Sequence, residues 1–188
     1  KLVEIATAVE GRILWGDGGR EVTHFITDSR EAGPGAMFVP IRGERTDGHT
    51  YIASVFEKGA AAAFTDHEIP FPGGPVVLVE DCRGALQRYA ACYRSQFDLP
   101  IVGITGSVGK TTTKEMLAQT LSAGFDVMKT AGSQNSQVGV PITICGLEPR
   151  HTAAVVEMGM SMPGEMGRIA PVVRPTCAVI TNIGVSHI

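Results

Sequence analysis

Where the chain reads Thr105-Gly-Ser-Val-Gly-Lys-Thr-Thr112, two glycines, a lysine and several hydroxyls stand in an order that can hold phosphate. Gly106 and Gly109 let successive backbone N–H groups turn inward around phosphate oxygens, and a helix starting at Lys110 adds partial positive charge at its amino end. In that arrangement Lys110 bridges the β- and γ-phosphates of a nucleotide, the Thr111 hydroxyl sits on Mg²⁺, and Ser107, Val108 and Thr112 complete the cradle. The longer G-x-x-x-x-G-K-[ST] pattern is not met, because Ile104 takes its first glycine position and leaves the shorter G-x-x-G-K-T. Context supports the reading: the apolar run from Pro100 to Ile104 predicts a strand before the loop, and the residues from Lys110 a helix after it.

Two later apolar runs also end in groups that can do chemistry. Ala153-Ala-Val-Val-Glu157 closes on a carboxylate, and on a strand parallel to the phosphate-loop strand Glu157 can reach the metal that Thr111 holds. Mg²⁺ favours few protein oxygens and several waters, so one carboxylate and one hydroxyl suffice. The run from Cys177 to Ile183 carries Asn182 and leads to His187, whose neutral imidazole could ligate a second metal ion or orient a phosphate oxygen; spacing alone leaves an ordinary loop histidine as the other reading. His24, His67 and His151 have no partner at metal spacing and read as surface residues. Met158, Met160, Met162 and Met166 read as packing filler near a loop. Cys82, Cys92, Cys145 and Cys177 form no C-x-x-C pair, which argues against a zinc or redox site and for small buried apolar residues.

These groups need elements to position them. Strands are expected at Val22 to Thr27, Ala36 to Ile41, Ala61 to Thr65 and Pro75 to Val79, with helices at Lys1 to Gly11 and Ile52 to Lys58, making a small α/β unit. From Cys82 the period changes. Leu86, Tyr89, Ala90, Tyr93 and Phe97 lie on one helical face, and strands at Ile101 to Thr105, Asp126 to Lys129, Ala153 to Glu157 and Cys177 to Ile183 then alternate with helices at Lys110 to Ser122, Ile142 to Leu147 and Glu165 to Ala170. Continuous apolar strands separated by helices predict a mostly parallel sheet covered on both faces, with its ligand at the carboxyl ends of the strands. The expected division is residues 1–82 and 83–188.

The bulk properties exclude other classes. Of 188 residues 44% are apolar and 19% charged, as in an ordinary globular protein, and 16 basic against 19 acidic residues leave a net charge of −3. No overall positive field exists to gather nucleic acid or anionic lipid. No apolar run approaches bilayer length, and the amino-terminal segment lacks a signal peptide's apolar centre, so a cytoplasmic address is expected. The chain opens on Lys1 and stops after Ser186-His187-Ile188, and it is read as part of a longer protein.

Together these residues resemble the Mur ligases, and within them the type that joins D-alanyl-D-alanine to UDP-N-acetylmuramoyl-tripeptide. The resemblance runs through Thr27-Asp-Ser-Arg30, Pro34-Gly35, Phe38, Gly43-Glu44, Asp47-Gly-His49 and Lys58-Gly-Ala60. It continues through Gly103 to Glu115, Gly139-Val-Pro141, Glu157-Met-Gly-Met160, Gly164-Glu165, Ala178 to Gly184 and His187. It implies a three-domain enzyme: residues 1–82 for the UDP-linked substrate, 83–188 as an incomplete ATP-binding domain, and a third domain absent from these residues. It further implies ATP and Mg²⁺, peptidoglycan-precursor synthesis through an acyl phosphate, and a monomer. Lys110, Glu157 and His187 would be catalytic, with Thr111, Glu157 and His187 holding metal. Ser29, Arg30, Asp47, Gly48, His49 and Asn135 would contact substrate, Arg30 by charge-assisted bonds to phosphate oxygens. The family's asparagine-rich segment is represented here by Asn135 alone, between Ser133 and Ser136. Competing readings are another Mur-type amide ligase, a nucleotide-binding fragment without turnover, and a P-loop switch or kinase. Glu157 in place of the usual Asp, and the lack of an Asn-Lys-x-Asp segment for guanine, count against the last.

Overall fold

The computed structural model describes residues 1–44 and 46–184, so the expected metal ligand His187 lies outside the described residues. Contacts divide the chain into Lys1–Tyr89 and Ala90–Ile188.

In the first unit, helix α1 (Leu2–Ala8) buries Leu2, Ile5 and Ala6. Strands β1 (Arg12–Trp15), β2 (His24–Ile26), β3 (Ala36–Phe38), β4 (Ala62–Thr65) and β5 (Val76–Leu78) form one sheet in the order β1-β5-β4-β3-β2. Strands β2 to β5 are parallel; β1 runs antiparallel at the edge. The runs Ala36-Met-Phe38 and Ala62-Ala-Phe-Thr65 are buried throughout, as strands covered on both faces require. Helix α2 (Ile52–Glu57) packs Ile52 and Val55 against Ile26, Phe38 and Val76. Strand β1 is not foreseen by the periodicity. Its four residues are nowhere fully buried, and their pairing with β5 across more than sixty residues leaves no local signature.

Helix α3 (Cys82–Arg94) carries the boundary between the units inside it, after Tyr89, whereas the expected boundary falls at its first residue. It ends before Phe97, which still packs with Tyr93 at a ring distance of 5.1 Å.

The second unit alternates β6 (Ile101–Thr105), α4 (Lys110–Leu121), β7 (Val127–Lys129), α5 (Gly139–Cys145), β8 (Ala153–Glu157), α6 (Glu165–Val173) and β9 (Cys177–Ile180). Its strands form an all-parallel sheet in the order β7-β8-β6-β9. Register pairs Ile104 with Glu157 and Thr105 with Ile180, so β6, β8 and β9 deliver their last residues to one edge. Two helices differ from expectation at prolines. Helix α5 starts three residues early because Pro141 is its third residue, where a missing N–H costs no helical bond. Helix α6 runs past Pro171 to Val173, because Ile169, Val172 and Val173 are buried and that packing outweighs one lost bond.

Candidate functional site

The phosphate loop leaves β6 at Thr105 and becomes α4 at Lys110. Gly106 has φ 131° and Gly109 φ 84°, backbone that side-chain-bearing residues rarely adopt. Gly106 is also required by proximity, since a Cβ there would lie 2.3 Å from Thr181 Oγ1 and 2.9 Å from the Asn182 backbone. The chain leaving β9 fixes the loop's shape. Ser107 N–H donates to Asn182 O at 3.0 Å, Ser107 Oγ to Gly184 O at 2.8 Å, and Thr181 Oγ1 to Val108 O at 2.6 Å. Lys110 Nζ donates to the carbonyls of Gly106 at 2.7 Å and Ser107 at 3.4 Å, which keeps the ammonium over the loop. Val108, Gly109, Thr111 and Thr112 are exposed. A cavity of about 530 Å³ opens beside Gly106, Ser107 and Lys110, within the range of small-molecule sites.

Glu157 reaches this edge as expected, and its surroundings explain how a carboxylate only 1% exposed is tolerated. Oε1 accepts from Thr111 Oγ1 at 3.1 Å and from Asn135 Nδ2 at 2.7 Å. Oε2 is buried without a hydrogen-bond partner among the described residues, 3.7 Å from Lys114 Nζ. Lys114 is fully buried and donates to Gly132 O at 2.7 Å, with Glu115 Oε1 at 3.1 Å. A buried carboxylate needs such a cation nearby. An unpartnered carboxylate oxygen beside a threonine hydroxyl is a hard oxygen donor set, and it fits Mg²⁺.

The sequence reading missed Lys114, whose burial three residues beyond Thr111 on an otherwise exposed helix start has no signal in periodicity. It also missed Thr130, whose Oγ1 accepts the Glu157 N–H at 2.9 Å. Asn135, expected to contact substrate, spends its side-chain N–H on Glu157 Oε1. Ser136 precedes α5, its Oγ accepting from Gly139 N–H at 3.1 Å. The methionines divide: Met158 is core and Met166 packs against it, but Met160 and Met162 are 54% and 67% exposed and line the cavity, contrary to a filler role. Of the cysteines expected to be buried, Cys92 and Cys177 are exposed, and burial pushes the Cys145 thiol up to about 12.

In the first unit a separate pocket of about 420 Å³ is lined by Ser29, Arg30, Phe38, Gly48 and Tyr51. Asp28 caps a short 3₁₀ turn, accepting from Arg30 N–H at 2.9 Å, and grips the Arg30 guanidinium at 2.5 to 2.9 Å. That guanidinium, then the backbone N–H, holds the Asp28 carboxyl at about 2. Lys58 Nζ donates to Ser29 O at 2.8 Å and adds a second cation that sequence alone does not place here. Asp47 and His49 turn away from this pocket. The His49 side chain is 5% exposed and its Nδ1 lies 2.6 Å from Asp47 Oδ1. The backbone N–H of His49, followed by its ring, keeps Asp47 below the usual carboxylate range. His67, read as a surface residue without a partner at metal spacing, is exposed but lies against Asp66 and His49, and His151 is buried with Nδ1 accepting from Glu148 N–H at 2.9 Å.

The chain is similar in sequence and fold to known proteins. The Mur ligase middle-domain model matches residues 104–188, and the model described as Mur ligase family, catalytic domain, matches residues 21–94. The UDP-N-acetylmuramoyl-tripeptide--D-alanyl-D-alanine ligase of Synechocystis sp. is 43% identical over 169 residues, covering 89% of this chain and 37% of that protein. MurF from Acinetobacter baumannii superposes with a TM-score of 0.93 at 34% identity, covering all of this chain and 42% of that one. MurF from Thermotoga maritima in complex with ADP superposes at 0.79 with 33% identity, covering 88% and 39%. The chain thus spans about two fifths of the length of the relatives it matches. With a phosphate loop, a strand-end glutamate and matches that together take in nearly every element described, the chain belongs to the Mur ligase family.

Proposed function

We propose that the protein containing these residues is an ATP-dependent ligase that joins D-alanyl-D-alanine to UDP-N-acetylmuramoyl-tripeptide in peptidoglycan-precursor synthesis, acting in the cytoplasm as a monomer. The observation that carries the proposal is the convergence of Lys110, Thr111 and the buried Glu157 at one strand edge. The naming of the relatives supports the choice of substrates. No helix among the described residues is long and apolar enough to cross a membrane.

In this reading residues 83–188 hold ATP and residues 1–82 hold the UDP end of the substrate. Gly106 to Thr112 cradle the phosphates with backbone N–H groups, and Lys110 exchanges its loop carbonyls for phosphate oxygens. Thr111 and Glu157 would hold Mg²⁺, with His187 holding or supporting a second ion, and the metal supplies charge neutralisation during phosphoryl transfer. The tripeptide's terminal carboxylate takes the γ-phosphoryl group of ATP, giving an acyl phosphate and ADP. The amine of D-alanyl-D-alanine then attacks the acyl carbon, and inorganic phosphate leaves as the amide forms. Positioning and charge stabilisation carry the rate. Ser29, Arg30 and Gly48 line the pocket for the uridine diphosphate end, and Asp47 and His49 hold the turn that carries Gly48. Asn135 orients Glu157.

Phosphate release measured with each substrate omitted in turn tests this reading. Release that needs ATP, the UDP-linked tripeptide and D-alanyl-D-alanine together, and disappears in Lys110→Met, is expected. Release that ignores D-alanyl-D-alanine would instead mark a general nucleotide hydrolase.

A further inference from the structure

The first unit gathers a set of donors that oxygen-seeking Mg²⁺ would not use. His49, Asp66 and His67 each offer one ligand atom, and these atoms all lie within 4.8 Å of one another. Asp66 Oδ1 is 3.3 Å from His49 Nε2 and 2.7 Å from His67 Nδ1. Cys82 Sγ, at the start of α3, is 3.7 Å from the same His49 Nε2. The four residues come from three separated places: the 3₁₀ turn at 48–51, the exit of β4, and the first residue of α3. His49, Asp66 and Cys82 border a cavity of about 180 Å³.

The orientation of His49 is what makes this a ligand set. Its Nδ1 meets Asp47 Oδ1 at 2.6 Å, so Asp47 fixes the tautomer with the proton on Nδ1 and the lone pair on Nε2. Carboxylate-oriented imidazoles of this kind are the usual outer support of a bound metal. The Nε2 lone pair then faces the Asp66 carboxylate and the Cys82 thiol, and zinc would replace the thiol and His67 Nδ1 protons that meet these two acceptors in the metal-free site. Arg42 donates to the same Asp66 Oδ1 at 2.9 Å, lies 3.3 Å from Asp47 Oδ2 and lines the same cavity, so zinc would share that carboxylate with the guanidinium.

We propose that His49 Nε2, Asp66 Oδ1, His67 Nδ1 and the Cys82 thiolate bind one zinc ion, a site separate from the Mg²⁺-nucleotide edge. Two imidazoles, a carboxylate and a thiolate are zinc's preferred tetrahedral donors. Burial, with Asp66 and Asp81 nearby, pushes the Cys82 thiol well above its ordinary range, so zinc uptake there displaces one proton into solvent. Bound zinc ties the 48–51 turn to β4 and α3, which braces the turn that carries Gly48.

The test is zinc and cobalt titration of the chelator-treated protein in excess Mg²⁺, without nucleotide. One zinc per chain is expected, and Co²⁺ in its place should give intense visible bands with a thiolate-to-cobalt band in the near ultraviolet. Cys82→Ser should remove that band. His67→Ala, which alters a half-exposed ring and leaves the fold measurable by circular dichroism, should weaken zinc binding about a hundredfold, and Asp47→Asn about tenfold. Absence of saturable zinc uptake, or uptake and cobalt spectra unchanged in both His67→Ala and Cys82→Ser, overturns the proposal.

Discussion

At the scale of single residues, the site depends on how the buried Glu157 carboxylate is partnered and aimed. Asn135 and Thr111 hold Oε1, and Lys114 stands 3.7 Å from Oε2. Asn135→Ala removes a partner that orients the carboxylate proposed to hold Mg²⁺, and should weaken Mg²⁺-dependent ADP binding about 10- to 100-fold by calorimetry while leaving metal-free binding nearly unchanged. Lys114→Met strands a buried carboxylate and should cost about 3–5 kcal/mol in urea unfolding, most of it recovered in the double variant Lys114→Met/Glu157→Gln. A cost that persists in the double variant would mean that Lys114 acts through its bond to Gly132 O instead. In the other unit, Asp28 is held at about 2 by Arg30. Its folded value is depressed, so its contribution to stability is present above about pH 4 and is lost as pH falls through about 2. Carboxyl-carbon NMR should show that midpoint, rising toward the ordinary value of about 4 in Arg30→Ala while the retained backbone N–H keeps it below that value. Lys110, Thr111 and Glu157 are legible in the sequence because loop chemistry and strand ends are local signals. Lys114 is not, because its burial is set by Gly132 and Glu157, 18 and 43 residues further along the chain.

Among elements, the junction of β6, the phosphate loop and β9 decides whether nucleotide can be held. Gly106 lies so close to Thr181 and Asn182 that any side chain there displaces the β9 exit. Gly106→Ala should therefore abolish nucleotide binding and destabilise the second unit by about 1–3 kcal/mol from backbone strain alone, read by thermal unfolding and ADP titration. Thr181→Ala removes the Oγ1 clash but not the 2.9 Å approach of Asn182, so the pair should recover stability only in part. The alternating strands and helices of the second unit are readable because each strand is an apolar run and each helix a change of period. The edge strand β1 is not, since its partner β5 is remote in sequence. Local rules stop a helix at proline, yet Pro141 sits in the first turn of α5, where it costs no helical bond, and burial of Val172 and Val173 carries α6 through Pro171.

For the whole molecule, the family, the phosphate loop of one unit and the Arg30-bearing pocket of the other follow from motifs spread along the chain. The inward turn of His49 toward Asp66, His67 and Cys82 was not readable, because those residues meet only through the folding of three separate segments. The central claim is that a carboxylate oxygen of the tripeptide becomes part of the phosphate released. The most direct test is mass spectrometry of that phosphate after turnover of UDP-N-acetylmuramoyl-tripeptide labelled with ¹⁸O in its terminal carboxylate. An acyl phosphate predicts one ¹⁸O carried into each phosphate and one kept in the new amide; unlabelled phosphate released alongside amide product would contradict the account.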